Sequence, residues 1–134
     1  MILVDSSAWI ELLRATERPA HRILRRLLVA GEELAVTEPV VMEVLVGVRS
    51  AREEEAVRGQ LVGFALLSVG GIDAYEQAGE IYRICRAAGD NVRRTLDCLI
   101  AVPAIRAGVP ILHVDRDFDV IARHTPLEVV AFDG

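Results

Sequence analysis

The sequence contains no lysine, few aromatic residues and only two cysteines, and each shortage narrows the classes of protein it can encode. All fifteen basic residues are arginine, and aromatic residues make up 4% of a chain that is 52% hydrophobic. A core with so few rings is built from Leu, Ile, Val and Ala, which is typical of folds that layer helices on a sheet. Cys85 and Cys98 form no CxxC pair and have no histidine at zinc-finger spacing, so we expect both to be small buried hydrophobic residues.

Long apolar stretches are also missing. The longest uncharged segment, Gly59 to Ile72, is shorter than the roughly 20 residues that a membrane-spanning helix needs. The first residues, MILV, are typical of a strand and lack the basic residues and long apolar stretch of a secretory signal. We therefore expect a cytoplasmic protein with no membrane contact.

The length and charge of the chain bound its organisation and its partners. With 134 residues it is long enough for one domain with a hydrophobic core and too short for two, so we expect a single domain over residues 1–134. The formal net charge of −5 argues against a protein that reads DNA sequence, because such proteins carry a basic face. Arginines nevertheless cluster in segments 14–26 and 83–94, and arginine suits bidentate contact with phosphate. Solvated helix faces explain such clusters equally well.

Short apolar runs alternate along the chain with segments of helical periodicity. This alternation indicates parallel strands joined by right-handed crossovers, and therefore a three-layer α/β sandwich with a five-stranded parallel sheet flanked by helices. In such folds the functional site lies beyond the carboxyl ends of the strands. The predicted strands are 2–5, 34–37, 65–69, 110–114 and 128–131, and the predicted helices begin near Ser6, Thr16, Glu38, Ser50, Asp73, Thr95 and Asp117. We expect helix caps at Ser6 or Ser7, at Ser50 and Asp73, each with a glutamate three residues on, and at Thr95.

Four acidic residues interrupt or end apolar runs, where carboxylates are rare. A carboxylate taken out of water is costly unless a positive or hydrogen-bonding group receives it, so four of them indicate one shared cation. Asp5 is the only charged residue of MILVDSSAWI, Glu43 of PVVMEVLVGV and Asp97 of LDCLIAVPAI, and Asp115 ends the run VPILHV.

The predicted elements can bring these acids together. Asp5 and Asp115 follow strands, so both side chains can emerge at the same edge of a parallel sheet. Glu43 lies on an apolar helix face, and Asp97 lies in the first turn of its helix, where the macrodipole favours an anion. Asp117 can add a fifth oxygen donor. Each aspartate taken alone could equally be a helix cap, whereas Glu43 has no helix end near it.

A cluster of oxygen ligands without histidine or cysteine favours Mg²⁺ or Mn²⁺ over zinc. Such an ion lowers the pKa of a bound water and neutralises charge on a transferring phosphoryl group. Phosphodiester hydrolysis is therefore the predicted reaction.

Four segments, in this order and spacing over nearly the whole chain, resemble the successive motifs of PIN-domain ribonucleases, specifically the VapC toxins of bacterial VapBC toxin–antitoxin pairs: ILVDSSAWIE, EPVVMEVLVG, RRTLDCLIA and ILHVDRDFDVIA. The resemblance implies Mg²⁺- or Mn²⁺-dependent endonucleolytic cleavage of RNA, often transfer or ribosomal RNA, which halts translation. It also implies that Asp5, Glu43, Asp97 and Asp115 are the metal-binding catalytic acids, that Asp117 assists them, and that Ser6 is a hydroxyl that supports them.

The same resemblance implies partners. A cognate VapB antitoxin wraps the toxin and can place a basic side chain among the carboxylates, the toxin usually forms a homodimer, and the complex binds its promoter DNA through the antitoxin. Arg93 and Arg94, just before Asp97, are candidates for contact with RNA phosphates, and a solvated helix start explains them equally well.

Some features depart from this pattern or leave alternatives. Pro103 lies inside the helix that begins near Asp97, so we expect a bend there without loss of the site. Receiver domains and haloacid-dehalogenase-like phosphatases share the α/β alternation and the early acid, but both use a lysine, which this chain lacks. The remaining alternative is a catalytically silent module whose acidic pocket binds an arginine-bearing partner. His21, His113, His124 and Asp119 match no catalytic position, and we expect the histidines to be packing or surface residues.

Overall fold

The computed structural model describes residues 1–131 and has the predicted alternation of strands and helices, which confirms the three-layer α/β architecture. The strands are β1 (Ile2–Val4), β2 (Leu34–Val36), β3 (Ala65–Leu66) and β4 (Ile111–Leu112). The helices are α1 (Ser6–Leu13), α2 (Pro19–Val29), α3 (Glu38–Val46), α4 (Ala51–Leu61), α5 (Ile72–Ala87), α6 (Thr95–Ala107) and α7 (Arg116–His124).

The sheet is parallel throughout and places β1 next to β4. Its strand order is β3-β2-β1-β4. Leu3 lies opposite Ile111 and Val4 opposite Leu112, and all four side chains are fully buried. The segments that follow β1 and β4 therefore leave the sheet side by side at its carboxyl edge.

The predicted fifth strand at 128–131 is wrong, because the sheet has four strands within the described residues. Val129 forms only an isolated parallel bridge to Ile111. The N–H of Ile111 donates to the carbonyl of Glu128, and the N–H of Val130 donates to the carbonyl of Ile111. The neighbouring strand β4 is only two residues long, and Pro110 before it has no N–H to donate, so the ladder cannot extend.

The start of α4 follows the predicted capping chemistry, whereas the start of α5 does not. The N–H of Glu53 donates to Ser50 Oγ at 3.1 Å, as predicted. The predicted cap at Asp73 is wrong: α5 begins at Ile72 after Gly71, without a side-chain cap, and the carboxylate of Asp73 instead accepts from Arg106 at 3.1 Å.

The predicted caps at Ser6 and Thr95 are also wrong. Asp5 is the N-cap of α1, where its side chain accepts from the N–H of Ser7, and Arg94 occupies the cap position of α6. The reason at α6 lies in the acidic site described below, where a carboxylate from α7 binds the backbone N–H groups that precede the helix.

The helix α6 is buried over most of its length. Every residue from Asp97 to Ala104 is buried, and the helix continues across Pro103 to Ala107, where Gly108 ends it in a left-handed conformation (φ 66°). Cys98 on this helix and Cys85 on α5 are both buried and free, as predicted. The carboxylate of Asp97 thus lies in the first turn of a buried helix, without contact with bulk water.

Among residues 1–131, no helix combines the length and apolar character that crossing a bilayer requires.

Candidate functional site

The acidic residues singled out in the sequence lie around the carboxyl edge of the sheet. Asp5 directly follows β1, and its N–H donates to the carbonyl of Leu112 at 2.9 Å, which continues the β1–β4 pairing by one residue. Asp115 comes three residues after the end of β4 and is the N-cap of α7, where its carboxylate accepts from the N–H of Asp117 at 2.9 Å. Hydrogen bonds of the main chain therefore fix both residues at the same edge.

Three aspartates form the centre of the site. Asp97, Asp115 and Asp117 each offer one carboxylate oxygen, and these three atoms lie within 4.8 Å of one another. Asp97 and Asp117 are fully buried, while the side chain of Asp115 is 29% exposed. The site is thus open to solvent on one side, at Asp115.

Asp117 holds the start of α6 against α7. Its two carboxylate oxygens accept from the N–H of Arg93 at 2.9 Å and from the N–H of Arg94 at 3.0 Å. Burial alone would raise the pKa of Asp117, but these two hydrogen bonds and a third with Asp97 hold that pKa below its usual value. Of the hydrogen-bonded aspartates Asp97 and Asp117, Asp117 is therefore the one that is ionised.

Asp97 has the opposite tendency. Burial, and next the hydrogen bond that it shares with Asp117, raise the pKa of Asp97 to about 8, although the Arg94 guanidinium favours its ionised form. The short hydrogen bond from Arg94 to Asp97, at 2.7 Å, favours the ionised carboxylate, whereas the raised pKa favours the protonated one. Burial prevails because Asp97 is completely enclosed whereas Arg94 is half exposed. Without a further cation, Asp97 and Asp117 share one proton near neutral pH.

Glu43 lies beside this cluster and points inward, as its place on α3 predicts. Its side chain is 15% exposed, and it is held from two sides: Ser6 Oγ donates to Oε1 at 3.0 Å and Arg94 Nη1 donates to Oε2 at 2.9 Å. Ser6 thus contacts an acid of the site directly, and the Arg94 guanidinium links Glu43 to Asp97.

Asp5 is buried with one carboxylate oxygen unpartnered. Ser7 donates to Oδ2 through both its N–H, at 3.1 Å, and its Oγ, at 2.5 Å, whereas Oδ1 is buried and has no hydrogen-bond partner within the described residues. Burial raises the pKa of Asp5, and the nearby charge of Glu43 adds to the effect. A buried carboxylate oxygen without a donor is costly, and a cation would compensate it.

Two residues of the site were missed by reasoning from the sequence. Ser7 Oγ also accepts from the N–H of Val114 at 3.0 Å, so it ties the end of β1 to the segment after β4. The ring nitrogen Nδ1 of His113 accepts from the N–H of Asp115 at 3.1 Å, and its Nε2 lies 3.2 Å from Asp119. The only local signal for Ser7 was its position two residues after Asp5, which also fits a helix cap.

The other two histidines lie in contacts away from these acids. His21 is buried, and its Nδ1 accepts from the N–H of Glu17 at 2.9 Å. His124 lies 3.0 Å from Asp90. Neither contact places an imidazole beside the acids of the site.

The guanidinium of Arg94 occupies the space between the acids. Besides its bonds to Asp97 and Glu43, its Nη2 lies 3.9 Å from Asp115 Oδ2. The carboxylate of Asp97, and after it that of Glu43, raises the pKa of Arg94. Arg93, by contrast, contacts the site through its backbone N–H, and its guanidinium forms no ion pair within residues 1–131.

The donor set fits a hard divalent cation. The acids offer carboxylate oxygens without a sulfur ligand. Among the described residues the oxygens close enough to share an ion belong to Asp97, Asp115 and Asp117, whereas Asp5 and Glu43 lie outside this group. Asp5 Oδ1 is buried without a partner. Mg²⁺ and Mn²⁺ prefer such ligands. An ion here would favour the ionised form of Asp97 and so reverse the effect of burial on its pKa.

Comparison with known proteins agrees with this geometry. Residues 2–124 match the PIN domain family. The chain is 44% identical over 135 residues to Ribonuclease VapC11 of Mycobacterium tuberculosis strain H37Rv, covering 98% of this chain and 99% of that protein. VapBC2 of Rickettsia felis, solved bound to a DNA fragment from its promoter, has a chain with a TM-score of 0.74 at 16% identity, covering 99% of this chain and 100% of that one. Mycobacterium tuberculosis VapC20, described as a Sarcin-Ricin loop cleaving toxin, has a TM-score of 0.68 at 23% identity, covering 96% and 99%.

Proposed function

Since this chain belongs to the VapC ribonucleases of the PIN-domain family, we propose that it is a metal-dependent endoribonuclease toxin that cleaves RNA and thereby inhibits translation. The observation that carries this proposal is the convergence of Asp97, Asp115 and Asp117 within 4.8 Å at the carboxyl edge of the sheet. Three carboxylates at such distances repel one another, and a bound divalent ion would offset that repulsion.

Asp5, Glu43, Asp97 and Asp115 are the proposed catalytic acids. Asp97 and Asp115 would hold Mg²⁺ or Mn²⁺ together with Asp5, whose Oδ1 has no other partner, and Asp117 and Glu43 would complete the site. When bound, such an ion supplies an activated water and neutralises charge on the phosphate.

The other groups of the site prepare these acids for that task. Asp117 fixes the start of α6, and with it the position of Asp97, through two backbone hydrogen bonds. Ser6 and Arg94 hold the two oxygens of Glu43, so that its carboxylate faces the aspartates in one orientation and can accept a proton there.

The proposed substrate is RNA, with transfer or ribosomal RNA as the expected class. Arg93 and Arg94 are both exposed and come four and three residues before Asp97, so a phosphate backbone entering the site would pass near them. Arginine side chains at such a position supply salt-dependent, sequence-independent affinity for phosphates.

The proposed partners follow from the family. The Rickettsia felis structure is of VapBC2 with promoter DNA, and we propose for this chain a VapB-type antitoxin that covers the acidic site, a homodimer, and promoter contact only through the antitoxin. The cytoplasm is the proposed site of action.

The test is incubation of the antitoxin-free protein with total RNA and Mg²⁺ or Mn²⁺, followed by mapping of new RNA ends. We expect cleavage that chelation abolishes and that Asp97→Asn, which keeps the shape of the side chain, eliminates. If the folded parent protein left RNA intact with either metal, or if Asp97→Asn cleaved as well as the parent, the proposal would be wrong. Tight partner binding without cleavage would instead support the catalytically silent module.

A further inference from the structure

Arg94 places a positive charge where the proposed function requires a metal ion. Its guanidinium donates to Asp97 at 2.7 Å and to Glu43 at 2.9 Å, and it lies 3.9 Å from Asp115. A carboxylate can accept more than one bond, but two cations drawn to the same oxygens repel each other, and a divalent ion carries twice the charge of a guanidinium. Binding of the ion therefore favours departure of the Arg94 guanidinium from these oxygens.

The side chain of Arg94 can leave without disturbing the main chain. The backbone of Arg94 is extended (φ −122°, ψ 123°) at the start of α6, and its N–H is held by Asp117 rather than by the acids that bind its guanidinium. Its side chain is 47% exposed, so it can move into solvent without opening the core. Asp97 is fully buried, so its ionised carboxylate needs a positive partner when the guanidinium leaves, and an incoming divalent ion supplies that charge.

We propose that Arg94 is an intramolecular counter-ion that occupies the carboxylate cluster in the metal-free protein, is displaced when Mg²⁺ or Mn²⁺ binds, and thereby sets the metal affinity of the site. This inference rests on the proposed function, because the ion it concerns is the one that function requires. The arginine stabilises the fold while the site holds no ion, and its displacement frees a guanidinium beside the reacting phosphate. The apparent metal affinity is the intrinsic affinity multiplied by the fraction of metal-free molecules in which Arg94 has left the acids.

Arg93 provides a matched control. It adjoins Arg94, carries the same charge and also donates its N–H to Asp117, yet its guanidinium forms no ion pair within residues 1–131. Arg93→Gln and Arg94→Gln thus remove the same charge from neighbouring positions and keep both backbone hydrogen bonds. A difference between them isolates the contact of the Arg94 guanidinium with the acids.

The test is calorimetric titration of the metal-free full chain with Mn²⁺. We expect Arg94→Gln to bind Mn²⁺ about tenfold more tightly than the parent, while Arg93→Gln changes the affinity by about twofold or less. Equal affinities for the parent and Arg94→Gln, both binding Mn²⁺, would overturn this inference alone. Failure of the parent and of both variants to bind Mn²⁺ would overturn the metal centre, and the proposed function with it.

A second measurement uses the parent sequence, in case Arg94→Gln does not fold. The Nε–Hε resonance of Arg94, assigned with Arg94→Lys, is followed by NMR during titration with Mg²⁺. Displacement predicts that this resonance shifts with the same midpoint as metal binding, whereas that of Arg93 responds little. A resonance of Arg94 that stays unchanged while the protein binds Mg²⁺ would show that the guanidinium keeps its place.

Discussion

Two opposing effects act on the ionisation of Asp97. Burial disfavours its charged form, whereas the Arg94 guanidinium favours it. Its pKa is raised to about 8, chiefly by burial and then by the hydrogen bond shared with Asp117. The folded protein therefore keeps a proton on Asp97 at pH values where the unfolded chain has released it. That difference makes stability depend on pH.

Between pH 3.8, the ordinary pKa of an aspartate, and about pH 8, Asp97 keeps its proton in the folded protein but has lost it in the unfolded chain. We predict that the metal-free protein loses stability as the pH rises through this range. Asp97→Asn removes this part of the dependence, because an amide does not titrate. Urea unfolding at about pH 5 and about pH 8 measures both slopes. An equally steep decline in Asp97→Asn would mean that another group is responsible.

Ser7 is a positioning residue whose hydroxyl serves two elements at once. It donates to Asp5 Oδ2 and accepts from the N–H of Val114. We predict that Ser7→Ala lowers the free energy of unfolding by about 1–2 kcal/mol, since the N–H of Val114 loses its acceptor and Asp5 Oδ2 loses one of its two donors. We also expect it to reduce RNA cleavage, because Asp5 is no longer held in one orientation.

Ser7→Thr is the matched control, because it keeps the hydroxyl. Chemical denaturation and a cleavage assay should place Ser7→Thr near the parent and Ser7→Ala below both. Parent-like cleavage by Ser7→Ala would exclude this role for the hydroxyl.

At the scale of elements, the start of α6 is set by α7 rather than by its own sequence. Thr95 is a plausible N-cap by residue type, yet the carboxylate of Asp117 binds the two N–H groups just before the helix. This contact spans 23 and 24 residues of chain, so no local pattern could indicate it. The same carboxylate lies in the acidic cluster, which means that one side chain both builds the helix start and shapes the site.

Asp117→Ala should therefore lower the free energy of unfolding by about 1–3 kcal/mol, because two backbone donors lose a charged acceptor. Asp117→Asn keeps one acceptor oxygen and should cost less. Denaturant unfolding of the two variants ranks them. Equal stability of Asp117→Ala and the parent would contradict the claim that Asp117 stabilises the start of α6.

The strands show where sequence patterns suffice at this scale and where they fail. The runs before Asp5 and after Glu33 are apolar and short, so both predicted strands occur and pair in parallel. The segment 128–131 has the same character but meets a two-residue partner strand, and only Val129 forms a bridge. Strand propensity predicts a segment that can pair, whereas the length of its neighbour decides how much of it does.

For the whole molecule, the acids could be found from the sequence because each leaves a local signal, a single charge in an apolar run. Of the groups that hold these acids, Ser6 is expected only from the resemblance to PIN-domain ribonucleases, and the contacts of Arg94 and Ser7 with the acids have no signal in the sequence. Arg94 meets Glu43 across 51 residues of chain, and Ser7 meets Val114 across 107. Arginines and serines at exposed helix starts are common in any protein, so only the folded chain distinguishes these two from the rest.

Metal binding should stabilise the whole domain. An ion that binds only the folded protein adds about 2.7 kcal/mol at a hundredfold excess over its dissociation constant. We predict that Mg²⁺ or Mn²⁺ raises the melting temperature of the parent and leaves that of Asp97→Asn nearly unchanged. A calorimetric scan with and without metal gives the comparison, and a parent protein whose melting temperature ignores both ions would contradict a shared cation.

The position of the ion itself is the most direct test of the account. Crystals of the antitoxin-free protein soaked in Mn²⁺ locate the metal by its anomalous scattering. We predict a peak between Asp5, Asp97 and Asp115, within about 2.0–2.5 Å of their carboxylate oxygens, with the Arg94 guanidinium moved away. A map with no peak at saturating Mn²⁺, or with Mn²⁺ bound only away from the carboxyl edge of the sheet, would contradict the claim that these acids share one ion.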